Sequence, residues 1–212
     1  MSHVEPDSGI SVQSQLEQSI AHLPPGDILF PSDFLSVGSA PSLHMAFSRL
    51  EKTNKVIRLG KGIYAIPKTD PLLGPILPSL DAIAQAIAEK EQVLIRPSGS
   101  SALNQLGLST QVPTKVVYLT NGSRRQIKIG KGTITFKPTT PKNLAAKNDF
   151  VFLAIQSLMA LGPNGSNDKV VRIITEKLRQ VPITVIRDDA RHAPQFVSRL
   201  LHSIANQLAH HG

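Results

Sequence analysis

Two windows of this sequence are rich in cations and nearly free of acids. Residues 49–68 hold Arg49, Lys52, Lys55, Arg58, Lys61 and Lys68 against the single acid Glu51. Residues 92–148 hold nine Lys or Arg and no Asp or Glu. By contrast, residues 1–48 carry five acids and no Lys or Arg. Cations segregated in this way bind polyanions, of which a phosphate backbone is the commonest. An acidic protein partner fits the second window equally well.

Other chemistries find little support in the residue types. The chain has no cysteine, which excludes disulfides, thiolate metal sites and cysteine nucleophiles. None of the seven histidines stands in an H-E-x-x-H frame or three to five residues from another, so no metal ligand is expected. The tripeptides Gly60-Lys61-Gly62 and Gly130-Lys131-Gly132 lack the longer frame of a phosphate-binding loop. Asp188-Asp189 is the one adjacent carboxylate pair of the C-terminal region and is read as the cap of the last helix. No catalytic residue, cofactor or metal is assigned, and an enzyme is not expected. Seven Phe, two Tyr and no Trp are too few for a base-stacking surface of the single-strand type.

The elements that must position these cations follow from periodicity. Val12, Leu16, Ile20 and Leu23 are spaced as one helix face, ended by Pro24-Pro25-Gly26. A short helix over residues 33–37, capped by Ser32 and stopped by Gly38, leads into a second helix. That second helix starts at Ser39 or Ala40 with Pro41 in its first turn and runs to about Thr53. Residues 56–59 and 63–66 are β-rich and flank Gly60-Lys61-Gly62, a hairpin signal. Helix, turn, helix and basic hairpin in that order make a winged helix-turn-helix.

On a helical wheel the second helix buries Leu43, Ala46, Phe47 and Leu50. Its other face carries Pro41, Ser42, Met45, Ser48, Arg49 and Lys52, with His44 at the shoulder. Small hydroxyls and an arginine suit a helix in the major groove of duplex DNA, whose N-terminal residues meet the bases. Ser39, Ser42, His44, Met45, Ser48, Arg49 and Lys52 are therefore the expected DNA contacts on the helix, and Arg58 and Lys61 those on the wing. Tyr64 is expected to pack the wing onto the helices.

Residues 69–78 hold three prolines and a glycine and are read as a linker between a 12–68 domain and a 79–212 domain. The second domain is expected to be mixed α/β. A helix over 80–91 is capped by Ser79. It is followed by a strand near 93–97, a small helix opened by Ser98 and closed by Gly107, and a strand over 115–120 ending at Asn121-Gly122. A hairpin over 125–138 comes next, and then a helical third with helices over 149–161, 168–180 and about 193–210. Arg96, Arg124, Arg125, Lys128, Lys131 and Lys137 form a candidate second basic surface. The two Gly-Lys-Gly hairpins look alike, and shared turn chemistry accounts for this more simply than duplication. Phe196, Leu200, Ile204 and Leu208 recur at four-residue spacing as core or as a dimer seam. Oligomeric state stays open.

The stretch from Ser32 to Pro67 resembles the N-terminal winged helix of AbiEi-type antitoxins, the regulatory halves of type IV toxin–antitoxin pairs. The resemblance rests on Phe47-Ser48-Arg49-Leu50 at the helix end and on Gly62-Ile63-Tyr64 in the wing. Downstream, Ala102-Leu103, Gly107-Leu108, Pro113 and the strand after it resemble the family's second domain. The similarity spans roughly residues 12–138. It implies an autorepressor that binds double-stranded DNA at its own promoter and neutralises a nucleotidyltransferase-like toxin. It does not extend to the helical C-terminal third, although a closely related family of uncharacterised proteins is similar in its full-length layout.

No apolar run is long enough to cross a bilayer, and the N-terminus lacks the basic and apolar regions of a secretory signal, so no membrane partner and a cytoplasmic location are expected. The fold class expected is α+β: an N-terminal winged helix-turn-helix followed by a mixed α/β domain with a helical C-terminal third. The alternative to a DNA-binding regulator is a protein-interaction module that docks an acidic partner, such as a toxin, without specific DNA binding.

Overall fold

The computed structural model describes residues 11–210; residues 1–10, which by their sequence are expected to be a loose terminus, lie outside them. The chain is mixed α+β and divides into two compact units, residues 1–83 and 84–212.

The first unit opens with α1 (Val12–Ile20), where the Ser11 hydroxyl accepts the Ser14 amide. After the Pro24-Pro25 turn comes the short strand β1 (Ile28–Leu29), which the sequence did not disclose. The expected helix over 33–37 is a 3₁₀ turn, Pro31–Phe34, and Ser32 does not cap it. Instead the Asp33 carboxylate accepts the Phe30 amide at 3.3 Å. The Asp33 and Val37 amides reach back only three residues, to the carbonyls of Phe30 and Phe34, which is the tighter 3₁₀ pattern.

Helix α2 (Ala40–Lys52) starts at Ser39 and ends at Thr53. Strands β2 (Ile57–Gly60) and β3 (Ile63–Ala65) form the hairpin, and β1 adds to its other edge in the antiparallel order β1-β3-β2. Leu16, Ile20, Leu29, Ala46, Phe47, Leu50, Val56 and Tyr64 make one buried cluster. Within it the Phe47 ring stacks on Tyr64 at 4.7 Å and meets Phe34 edge-on at 5.7 Å. Tyr64 thus ties the hairpin to α2, and burial raises its phenol pKa.

Residues read as a linker are ordered. Strands β4 (Lys68–Asp70) and β5 (Gly74–Ile76) pair antiparallel, with Pro75 opposite Thr69. A proline is tolerated in such a pair because each strand has a free edge. The Asp70 carboxylate closes the turn by accepting the amides of Leu72 and Leu73 at 2.8 and 2.9 Å, which holds its pKa below the usual value.

Helix α3 (Leu80–Glu91) begins where the Ser79 hydroxyl accepts the Ala82 amide, and the division between the units falls within it. The second unit then builds a four-stranded sheet from β6 (Ile95–Ser98), β7 (Lys115–Thr120), β8 (Arg125–Ile129) and β9 (Gly132–Pro138), in the order β6-β7-β9-β8. β7 and β9 run parallel, so Asn121-Gly122 does not close a hairpin between β7 and β8. The Asn121 side chain accepts the Leu94 amide instead, and the Thr120 hydroxyl donates to the Leu94 carbonyl. Helix α4 (Ser100–Gln105) is opened by Gly99, not by Ser98, which belongs to β6.

The two Gly-Lys-Gly hairpins differ in frame. In the first, Gly60 pairs with Ile63 and the loop is Lys61-Gly62, with Gly62 at φ +68°. In the second, Ile129 pairs with Gly132 and the loop is Gly130-Lys131, with Gly130 at φ +52°. Each turn thus places a different glycine of its tripeptide in the left-handed region. The neighbouring strand is antiparallel in the first sheet and parallel in the second. The likeness lies in the turns, and the sheets around them differ.

The helical third comprises α5 (Pro141–Leu144), α6 (Asp149–Gly165), α7 (Asp168–Leu178), α8 (Ile183–Ala190) and α9 (Gln195–His210). α6 breaks at Gly162, φ +68°, before Pro163, so its regular part ends where the sequence placed it. Val197, Leu201, Ile204 and Ala205 of α9 are buried in the helical core, with Phe196, Leu200 and Leu208 packed against it. The apolar stripe of the last helix is therefore core. α8 was not foreseen, because Ile183-Thr184-Val185-Ile186 is β-branched at every position.

Candidate nucleic-acid interface

Residue type fixes which way α2 faces. Leu43, Ala46, Phe47 and Leu50 are buried, while His44, Met45, Ser48, Arg49 and Lys52 are exposed. The exposed residues lie on the opposite side of the same 3.6-residue repeat. Arg49 and Lys52 make no ion pair with any described residue. Met45, between them and the start of the helix, is 59% exposed.

At the start of the helix the two serines have local work. Ser39 is the cap, its Oγ accepting the Ser42 amide at 3.4 Å. Ser42 donates its hydroxyl proton to the Ser39 carbonyl at 2.8 Å, so what it still presents is an acceptor. A Cβ built on Gly38 would come within 2.9 Å of both the Ser42 hydroxyl and a Val12 methyl. That close approach requires glycine and fixes where α2 begins relative to α1.

The hairpin presents Arg58 and Lys61, both exposed. Arg58 lies opposite Tyr64 across the strands, with its Nε 3.5 Å from the Gly60 carbonyl, and Lys61 stands at the first loop position. Beside the helix, Lys55 is neutralised at 2.6 Å by Glu17, whose carboxyl is held below its usual pKa first by that bond.

The second basic set separates into two kinds of residue. Arg96 is not a surface cation. Its side chain is 12% exposed, donates to the carbonyls of Leu144 and Ala146, pairs with Asp149 at 2.6 Å and lies 3.8 Å over the Phe152 ring. Burial lowers the pKa of its guanidinium, and nearby Asp149 and Asp189 oppose that effect. Arg125 is paired with Glu91 and lies over Phe136 at 4.8 Å, so it too serves the framework. Arg124, Lys128, Lys131 and Lys137 are exposed. Register puts Lys128 with Thr133 and Lys137 with Leu119, and strand alternation sets both lysines on one sheet face.

Asp188 and Asp189 do not cap the last helix. Asp189 is 2% exposed near the end of α8, and its two oxygens accept the amides of Lys147 and Asn148 at 2.9 Å each. It supports the start of α6 from a distant part of the chain, where Asn148 provides the local cap. Among the described residues no three His, Asp or Glu side chains converge as a metal site, and no helix is long and apolar enough to cross a membrane.

The chain is thus a mixed α+β protein in which an exposed cationic helix precedes a cationic hairpin. The model of the family of unknown function DUF6088 matches residues 15–186, and the chain belongs to that family. No curated protein matches it. Among solved structures it is similar to the RV2827C protein from Mycobacterium tuberculosis, at 13% identity and a TM-score of 0.47, over 93% of this chain and 80% of that one.

Proposed function

We propose that residues 12–68 form a winged helix that binds double-stranded DNA sequence-specifically, with α2 in the major groove and β2–β3 as the wing. On this reading the chain is a cytoplasmic transcriptional regulator that represses its own promoter as the antitoxin of a type IV pair. The observation that carries it is the outward face of α2, where Arg49 and Lys52 stand exposed without ion-pair partners among the described residues. An arginine so placed can donate two bonds to a guanine edge. Met45 offers an apolar contact suited to a thymine methyl, and Ser42 an acceptor for a base amino group. Lys61, at the wing tip, reaches phosphate and contributes a salt-dependent, sequence-independent term.

A nucleotidyltransferase-like toxin is the partner proposed for the second unit, whose exposed Arg124, Lys128, Lys131 and Lys137 suit an acidic surface. No cofactor or catalytic residue enters the proposal.

Fluorescence anisotropy with the duplex immediately upstream of the gene, against a scrambled duplex at two salt concentrations, tests it. Tight and sequence-selective binding that persists at physiological salt is expected. Weak binding, equal on both duplexes and lost with salt, would replace it with a module that docks an acidic protein.

A further inference from the structure

A cleft of about 500 Å³ lies within the second unit, inside the size range of small-molecule sites. Two walls follow from regular structure. Phe152, Ile155, Gln156 and Met159 are one stripe of α6. Ser98, Leu119 and Lys137 share one face of three neighbouring strands, as the register of Ser98 on Val117 and Leu119 on Lys137 requires. Lys142 of α5 and His192, in the turn between α8 and α9, also line it.

Two features distinguish this cleft from a packing defect. First, its ionisable lining is Lys137, Lys142 and His192, with no carboxylate. Second, Gln156 is only 6% exposed, yet its amide has no hydrogen-bond partner among the described residues. Its nitrogen and oxygen are not among the fully enclosed, unpaired side-chain atoms, so the cleft is where they meet solvent. The amide thus depends on whatever fills the cleft for its hydrogen bonds, and it is set in an otherwise apolar stripe.

We infer that this cleft binds a nucleoside phosphate. Lys137 and Lys142 hold the phosphate, the apolar stripe of α6 takes the base, and the Gln156 amide, both donor and acceptor, pairs with the base edge. An anion alone would not use the apolar wall, and an apolar ligand would not use two lysines and a free amide. None of these residues lies on α2 or the hairpin β2–β3, so the inference is independent of the DNA-binding proposal; Lys137 alone is shared with the surface proposed for the toxin.

Calorimetric titration of the full chain with AMP, GMP, CMP and UMP tests it, with the matching nucleosides, inorganic phosphate and a ten-residue single-stranded oligonucleotide as comparison arms. Saturable one-to-one binding of at least one nucleotide is expected, at least about tenfold tighter than its nucleoside or phosphate alone. The double variant Lys137→Gln/Lys142→Gln changes only exposed side chains and should lose at least about tenfold. Gln156→Leu should keep the melting temperature or raise it, because an apolar side chain of similar size suits that stripe of α6, and still weaken the nucleotide several-fold. Absence of saturable binding, equal affinity for phosphate, affinity unchanged in both variants, or binding of the oligonucleotide alone would each overturn the inference.

Discussion

Arg96 and Asp189 grip the same short segment from opposite chemical sides. Arg96 donates to the carbonyls of Leu144 and Ala146, and Asp189 accepts from the amides of Lys147 and Asn148. Between them they fix the approach to α6, the most apolar helix of the second unit. Losing Asp189 leaves two amides without an acceptor, at about 1–3 kcal/mol each. Asp189→Ala should therefore lower unfolding free energy by about 2–6 kcal/mol in urea titrations. A loss under about 0.5 kcal/mol, the size of an ordinary surface substitution, would show that solvent replaces the carboxylate.

Because the two side chains hold one segment, their losses should not add. Once Arg96→Met has loosened residues 144–148, Asp189 has less left to fix. A double-mutant cycle should give a coupling of about 1 kcal/mol or more in the favourable direction. Additivity within about 0.3 kcal/mol would mean that the two ends of the segment are independent. On the proposed DNA-binding reading neither substitution should alter duplex affinity, because both residues serve the framework of the second unit.

The contrast between α2 and this clamp shows what the sequence discloses. The buried stripe of α2, its Ser39 start and its exposed cations are all local consequences of a 3.6-residue repeat, and so could be read directly. Arg96 looked like a surface cation because its carbonyl partners lie 48 and 50 residues on. Asp189 looked like a local cap because the amides it serves lie 41 and 42 residues back. The parallel pairing of β7 with β9, the added strand β1 and the β4–β5 hairpin likewise depend on distant or weakly patterned partners. In the proposed nucleotide cleft, Gln156 carries a faint sequence signal, as a lone amide in the run from Phe150 to Leu158. Nothing in the sequence said which wall it would face.

Glu17 and Lys55 supply a pH test. The Lys55 ammonium, bonded at 2.6 Å, holds the Glu17 carboxyl below its ordinary value of 4.5. A depressed folded pKa means that the pair's contribution is complete above the ordinary value and fades as pH falls through the folded one. In a carbon-detected NMR titration, the Glu17 midpoint should lie below 4.5 and return toward it in Lys55→Met. An unchanged midpoint in that variant would assign the shift to Gln13 instead.

Gly38 and Gly62 should respond differently to alanine. At Gly62 the added methyl meets nothing within 4 Å, and only its φ of +68° is costly, by about 1 kcal/mol. At Gly38 the methyl meets Val12 and Ser42 at 2.9 Å, so α1 or the start of α2 must move, at about 1–3 kcal/mol. On the proposed DNA-binding reading, Gly38→Ala should also weaken duplex binding by displacing α2, whereas Gly62→Ala should act mainly on the stability of the β2–β3 hairpin. Equal melting temperatures and equal DNA affinities for the two variants would contradict this difference.

If the chain binds duplex DNA as proposed, Arg49 and Lys61 should separate base reading from phosphate attraction. Arg49 lies on the exposed face of α2 with no competing acid bonded to it, so Arg49→Ala should cost about 1–3 kcal/mol on the cognate duplex and relax its sequence preference. Lys61 stands in a two-residue turn, where its ammonium is free to follow a phosphate without reading a base. Lys61→Ala should weaken cognate and scrambled duplexes alike and reduce the slope of log affinity against log salt by about one unit. Anisotropy titrations on both duplexes at three salt concentrations separate the two effects. Equal losses on both duplexes for Arg49→Ala would reduce Arg49 to a backbone contact and move the base-reading role toward Ser42, Met45 and Ser48.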